Sequence, residues 1–146
     1  MGGDFTQSKV EHNFKCDTAA ARIVLESQIP ISILDLPNSQ KTIIRMPEID
    51  RIKDAPNLGP LLYSEIMSWI QPRNQDWTIP HDPIAALAMI APEYFDTSPK
   101  GQVSIDDDGK SSWKVSPSGN VTLVSPNDPK KAVEKMLELI TNCYRA

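Results

Sequence analysis

The chain is 146 residues long, 40% apolar and 23% charged, with a formal net charge of −4. A chain of that size buries roughly 70% of its unfolded surface, so a core needs neither disulfides nor a structural metal, and the apolar content sets it apart from disordered chains. The negative balance without clustered Lys and Arg argues against nucleic acid as a partner, and the longest apolar stretch, residues 84–91, is far short of the ~20 residues of a membrane helix.

The first sixteen residues read as a Gly-Gly loop followed by a short extended segment over residues 10–14. Asp17 precedes Ala19, Ala20, Ala21 and an apolar run, a helix-start signal that predicts a helix over about 18–27. Residues 29–36 form a β-branched apolar run closed by Pro37 and Asn38, the length and composition of a buried strand in a βαβ unit. Pro47 opens a helical piece reaching about Lys53. Pro60 opens another, with Leu62, Ile66 and Ile70 at helical spacing and Trp69 beside them. Residues 71–80 read as a polar loop bounded by prolines. Asp82 and Pro83 predict a helix whose run to Ala91 has no polar face, which implies burial in the middle of the domain. Val103 and Ile105, Trp113 and Val115, then Val121, Leu123 and Val124 alternate between turn residues, as in a small antiparallel meander. Asp128 and Pro129 start a C-terminal amphipathic helix through Ala132, Val133, Met136, Leu137 and Ile140.

No linker divides the chain, so residues 1–146 are expected to be one domain. The fold class is α/β, yet only residues 29–36 make a convincing parallel strand, whereas a doubly wound sheet requires several. The pattern is that of a partial open sheet with flanking helices and a small antiparallel hairpin region. The two cysteines, Cys16 and Cys143, lack CxxC spacing and exclude a cysteine zinc cluster. With no basic and apolar leader they predict a reducing, cytoplasmic setting, one long-range disulfide remaining open.

Two groups have the chemistry of a site. On an extended segment Glu11 and Asn13 project to one side, and a carboxylate beside a carboxamide supplies the acceptors and donors that grip vicinal sugar hydroxyls; a solvated Glu and a turn-forming Asn explain the same pair. His81-Asp82-Pro83 is explained as a helix start, with Asp82 as cap. Alternatively, a buried helix delivers Asp82 to a desolvated cleft, where a carboxylate needs a partner such as a metal ion and His81 can donate a proton near neutral pH. Asp106-Asp107-Asp108-Gly109 resembles the opening of a calcium loop but lacks the downstream Glu, and reads better as a hairpin turn. The charges over residues 130–138 read as a solvated helix face, and His12 as locally satisfied.

The run Glu11-His12-Asn13-Phe14-Lys15-Cys16-Asp17-Thr18-Ala19-Ala20-Ala21 resembles the E-x-N-x-x-x-D-x-x-A-A segment of the inosine-uridine-preferring nucleoside hydrolases. Met1-Gly2-Gly3 is similar to the MGG loop that precedes it there. His81-Asp82-Pro83, followed by Ala85 and by the stretch from Ala91-Pro92 to Phe95, resembles the family's second signature. The resemblance covers residues 1 to about 97, and more loosely the rest. It implies an open α/β sheet enzyme that hydrolyses the N-glycosidic bond of ribonucleosides with a bound calcium ion. Carried over by position, Asp82 resembles the calcium-ligating aspartate that also lies against the ribose. Glu11 and Asn13 resemble ribose-hydroxyl ligands, and His81 the contact to the leaving base, which in purine-active members gives it a proton. Such a site requires these four side chains to line one cavity. Stabilising an oxocarbenium-like ribose and protonating the departing base are its chemical logic.

The same family carries an aspartate-rich D-x-D-x-x-x-D-D segment, which supplies most calcium ligands and the base for the attacking water; nothing of that form occurs in these 146 residues. Thr6-Gln7-Ser8 replaces a stretch in which the family places a further asparagine. These departures predict a truncated or incomplete member matching the C-terminal half of the family's fold, with little or no ribohydrolase activity by itself. Its expected partners are a ribonucleoside or ribose, and a second copy or a complementary N-terminal half. The competing expectation is a non-catalytic nucleoside- or sugar-binding or protein-interaction domain built on the same scaffold.

Overall fold

The computed structural model describes residues 1–6 and 9–142. Gln7, which stands near the expected asparagine, and Cys143, the second partner of the disulfide left open above, lie outside the described residues.

Among the described residues a mixed sheet is covered by helices on both faces. Its path runs β1 (Ile31–Leu34), β7 (Val121–Pro126), β5 (Gly101–Ile105), β6 (Ser111–Val115), while β4 (Phe95–Thr97) pairs with β7. β1 and β7 run parallel, Ile31 opposite Val121 and Leu34 opposite Val124; the other pairings are antiparallel. Alternation along the strands sends Ile33 and Val121 to one face and Leu34 and Val124 to the other, so each strand feeds two cores. The first core lies under α2 (Thr18–Glu26), where Leu25 meets Val103 and Ile105. The second is larger and lies among α4 (Met46–Lys53), α5 (Gly59–Ile70), α6 (His81–Ile90) and α7 (Pro129–Asn142). Its fully buried Ile49, Ile84 and Leu137 each contribute about 1.5–3 kcal/mol by leaving water.

Most of the predicted elements stand where the periodicity places them: α2, β1, α4, α5, α7 and the strands after residue 100. Four expectations are corrected. Residues 10–14 are not extended, because α1 (His12–Cys16) begins there with Glu11 as its N-cap. β1 stops at Leu34, and Asp35-Leu36-Pro37 caps and opens the one-turn helix α3 (Leu36–Ser39) where the strand was expected to run on. The loop over 71–80 contains a 3-10 turn at Gln71–Arg73 and a short strand, β3 (Trp77–Thr78), paired with β2 (Ile44–Arg45). The strands after residue 100 do not form a simple meander. β5 and β6 are a hairpin, but β7 passes to the far side of β5 and joins β1, which merges this region with the parallel part of the sheet.

The helix over 81–90 is also less buried than its composition implies. Ile84 and Leu87, one turn apart, are buried, while Met89 and Ile90 are 83% and 70% exposed. A helix built of Ala, Leu, Ile and Met is apolar on every side, so sequence cannot tell a one-sided contact from a surrounded one.

β1 ends the sheet. One side pairs with β7; on the other, no strand pairs with it among the described residues, and Gly2 N donates to Leu34 O. Ile23, Val24 and Ile29, on and just after α2, are exposed.

Candidate functional site: the carboxyl end of strand β1

In α/β sheets, ligands collect beyond the carboxyl ends of parallel strands. Beyond β1, three short segments are tied together by main-chain hydrogen bonds. Gly2 N donates to Leu34 O, and Leu36 N donates to Gly3 O at 2.8 Å. Gly3 N donates to a carboxylate oxygen of Glu11 at 3.0 Å. Gly3 holds a φ of +80°, and a Cβ there would meet the rings of Phe5 and Phe14 at 2.8 and 3.0 Å. Both constraints demand glycine.

Glu11 is 3% exposed. Its Oε2 accepts from Gly3 N and from Phe14 N at 3.1 Å, and its Oε1 accepts from Asn13 N at 2.9 Å. A carboxylate offers about four acceptor positions. Three are occupied by backbone donors, which hold the group rigid and keep its buried charge solvated, and one on Oε1 is left for an outside donor such as a hydroxyl. Asn13, although two residues away, faces elsewhere. It is exposed, its Nδ2 donates to Met1 O at 3.2 Å, and it lines a cavity of about 390 Å³ between α2 and β1.

His81 is the first residue of α6. Its Nδ1 lies 2.8 Å from the hydroxyl of Ser39, which is fully buried at the end of α3 and itself donates to Leu36 O at 2.9 Å. Burial lowers the His81 pKa from its ordinary value of 6.5. The carboxylates of Asp82 and Glu11 push it back up, and the amino-terminal ammonium adds to the lowering. Glu11 and Asp82 are therefore both within electrostatic reach of the imidazole. His81 also lines a cavity of about 620 Å³, whose wall includes Glu65, Trp69, Arg73, Gln75 and Trp77. Trp69 is 56% exposed. The Arg73 guanidinium stacks 3.5 Å from the centre of its ring and donates to its carbonyl at 2.6 Å. A cation on the ring face and a shared backbone bond both hold that indole in place.

Asp82 is not the cap that the sequence suggests. Pro80 occupies the N-cap position, Asp82 falls in the first turn, and its carboxylate is exposed rather than desolvated. It lies on the open side of α6, opposite the side that buries Ile84 and Leu87. It makes no hydrogen bond or ion pair within the described residues. Asp35, at the very end of β1, is buried; its carboxylate accepts from Asn38 N at 3.0 Å, and burial raises its pKa above 3.8.

Of the four residues expected to share a cavity, His81 lines one cavity and Asn13 another; Glu11 and Asp82 line neither and are tied to His81 only by the charge they exert on it. Sequence reasoning missed Ser39, Asp35 and Trp77. The Asp-Leu-Pro signal at 35–37 was the available clue to the first two, since an Asp followed by Pro within two residues is a helix-start pattern. For Trp77 there was no clue, because its strand is two residues long.

Calcium takes six to eight oxygen ligands. Among the described residues no group of three or more His, Cys, Asp and Glu side chains is placed to hold a metal ion. Asp82 alone does not fit such an ion. The Asp106–Gly109 stretch is a hairpin turn, with Gly109 at φ +84° and Asp107 paired to Arg22 at 2.8 Å.

The family model for the inosine-uridine preferring nucleoside hydrolases matches residues 1–139. No curated protein matches the sequence. Among solved structures, a plant nucleoside hydrolase superposes with a TM-score of 0.75 at 16% identity, covering 88% of this chain and 46% of its own. An inosine-guanosine nucleoside hydrolase gives 0.77 at 15% identity, covering 97% and 50%. A purine-preferring ribonucleoside hydrolase from Gardnerella vaginalis gives 0.65 at 18%, covering 86% and 44%. The chain spans about half the length of these structures, and at such identities they establish the shared fold.

Proposed function

Because the chain belongs to the inosine-uridine preferring nucleoside hydrolase family, we propose that the carboxyl end of β1 is the base- and ribose-facing part of a site for cleaving the N-glycosidic bond of ribonucleosides. The observation that carries this reading is the placement of His81. Its ring is held by Ser39, opens on an indole-lined cavity, and lies within reach of two carboxylates.

In this reading the base enters the 620 Å³ cavity, where Trp69 and Trp77 offer flat apolar surface. The ribose lies toward Glu11 and Asp82. The free acceptor position of Glu11 takes a hydroxyl proton, and both anions stabilise positive charge developing on the ribose as the bond to the base stretches. In its charged form, which burial disfavours and the two anions only partly restore, His81 hands a proton to the departing base and makes it a better leaving group. Asn13 joins the ribose contacts only if it releases Met1 O. Asp82 alone does not hold a calcium ion, and no step of this reading passes through one.

We further propose that these residues, as one domain, correspond to the C-terminal half of the family's fold, and that a complementary half packs against the open edge of β1 and the exposed Ile23, Val24 and Ile29. An unpaired edge beside apolar surface is the usual place for another strand or another chain. Alone, this chain is then expected to bind nucleosides and to turn them over little or not at all. The lack of a metal-capable cluster among the described residues equally favours the second reading, a binding module without catalysis.

Titration of the purified chain with inosine, uridine and ribose, each with and without millimolar calcium, tests the proposal by calorimetry and tryptophan fluorescence. Two of the three tryptophans line the cavity, so saturable quenching by nucleosides is expected. No saturable binding of any of the three sugars in either condition would overturn the nucleoside assignment. Release of free base at an appreciable calcium-dependent rate by the isolated chain would overturn the claim that its site is incomplete. Sugar binding indifferent to calcium selects the binding module.

A further inference from the structure

We propose that Ser39 is a positioning residue that fixes the tautomer of His81, so that Nδ1 keeps its proton permanently and Nε2 is the atom that exchanges one with the cavity. The assignment follows from counting protons. A serine hydroxyl has one hydrogen to donate and two lone pairs to accept with. Ser39 Oγ makes two short contacts, 2.9 Å to Leu36 O and 2.8 Å to His81 Nδ1. Leu36 O can only accept, so the hydroxyl hydrogen belongs on that contact. The other must then carry the hydrogen of Nδ1, donated by the imidazole to Oγ. The opposite choice, hydroxyl to Nδ1, would leave two acceptor oxygens facing each other at 2.9 Å with no hydrogen between them.

Ser39 is in a position to impose this choice because it cannot easily move. It is fully buried, and its backbone N–H donates to Asp35 O at 2.9 Å, inside a turn that the Asp35 carboxylate caps at Asn38 N. Nε2 has no hydrogen-bond partner among the described residues. A free neutral imidazole favours the proton on Nε2; here the fold holds it on Nδ1. Nε2 is left as an acceptor when His81 is neutral and as the donor when it is charged. Gly3 and Leu36 join through the main chain, so the same knot that holds the Glu11 cap also holds the imidazole orienter. This deepens the proposed hydrolase site and rests on that reading for its catalytic meaning, but the tautomer itself is a property of the folded chain and is measurable without substrate.

The test is nitrogen-15 NMR of the imidazoles in the full chain above pH 8, where His81 is neutral. With two histidines in the sequence, His12→Gln assigns the remaining signals to His81. The expected spectrum has His81 Nδ1 in the protonated range and Nε2 in the unprotonated range. In Ser39→Ala the His81 pattern is expected to revert to the Nε2–H form of a free ring. Wild-type His81 found mainly as Nε2–H overturns the assignment without recourse to any variant. A Ser39→Ala spectrum identical to wild type, in a chain whose backbone spectrum remains folded, overturns the role of Ser39. Nucleoside titration separates this from the broader reading. If the tautomer is as assigned while His81→Ala binds inosine as wild type does, the hydrolase site fails and the Ser39 assignment stands.

Discussion

Truncating Glu11 to alanine separates what its carboxylate does for the fold from what it does for a ligand. Three backbone N–H groups end on this side chain, and the residue is 3% exposed. Removing the cap of α1 costs about 1 kcal/mol. Gly3 N cannot simply turn to water, because its φ of +80° and the flanking phenyl rings fix it; a buried donor left unpaired costs about 1–3 kcal/mol more. The expected loss for Glu11→Ala is therefore about 2–4 kcal/mol, large beside a typical total stability of about 5–15 kcal/mol. Glu11→Gln keeps one acceptor oxygen and should lose less, since only the donors facing the amide nitrogen are abandoned. Urea unfolding followed by far-ultraviolet circular dichroism measures both. An alanine variant within about 0.5 kcal/mol of wild type, the usual range for surface changes, would refute the claim that Glu11 is a structural anion, and would leave it as a solvated side chain free to serve a ligand alone.

His81 should make the chain sensitive to acid. Its folded pKa lies below the unfolded value of 6.5, so the unfolded state binds the proton first. Stability therefore falls as pH drops through about 6.5 and levels off below the folded pKa. His81→Gln should flatten that part of a pH series of unfolding midpoints, and an unchanged slope would contradict the shift. Asp35 runs the other way. Burial raises its carboxyl pKa, so Asp35→Asn, which keeps an oxygen for Asn38 N, should cost nothing measurable by urea unfolding near pH 7, whereas Asp35→Ala should cost about 1 kcal/mol for the lost cap. Trp69→Ala should leave the unfolding midpoint nearly unchanged, because the indole is largely exposed. If Trp69 stacks on the base, the same variant should weaken nucleoside binding roughly tenfold, since base-aromatic stacking is worth about 1–3 kcal/mol; equal affinity would remove Trp69 from the base site.

How far the sequence reaches depends on the length over which each signal is written. α2, α7 and the strands after residue 100 repeat their periodicity over five or more residues, and they stand where expected. α1 and α3 are one turn each, set by a single capping carboxylate, Glu11 or Asp35. One residue of signal cannot outvote a neighbouring apolar run, so the first reads as extended chain and the second only as the polar stop of the strand. The site suffers most from this. His81, Asp82 and Glu11 are candidates through their resemblance to the family pattern, not through periodicity. Ser39, which is hydrogen-bonded to His81, sits on a turn that the sequence marks only as the end of a strand. Whether Asp82 is buried depends on which side of an all-apolar helix meets the core, a tertiary choice that the ten residues of α6 do not encode.

The same physics explains why the site lies where it does. A parallel strand needs a connection that leaves its carboxyl end, and that end exposes backbone groups which must be capped. Around β1 the capping is done by residues with further bonding capacity. Gly3 accepts from Leu36 and donates to Glu11, Asp35 closes the turn that carries Ser39, and the Ser39 hydroxyl is hydrogen-bonded to His81 Nδ1. Each link satisfies a structural demand and leaves one group with spare bonding capacity: one acceptor position on the buried Glu11 and Nε2 of His81. A carboxylate held rigid by backbone amides loses little freedom on meeting a hydroxyl, and a tethered imidazole loses little on meeting a base. This economy of reorganisation is what preorganised sites exploit. Asp82 differs because nothing in the described residues holds it. An exposed, untethered carboxylate is a poor preorganised ligand, and it becomes one only when a cation or a facing wall fixes it. The open edge of β1 is where such a wall would join the sheet. Lengthening the chain there should therefore alter the mobility of Asp82 far more than that of Glu11, a contrast that side-chain relaxation measurements on the two carboxylates can read directly.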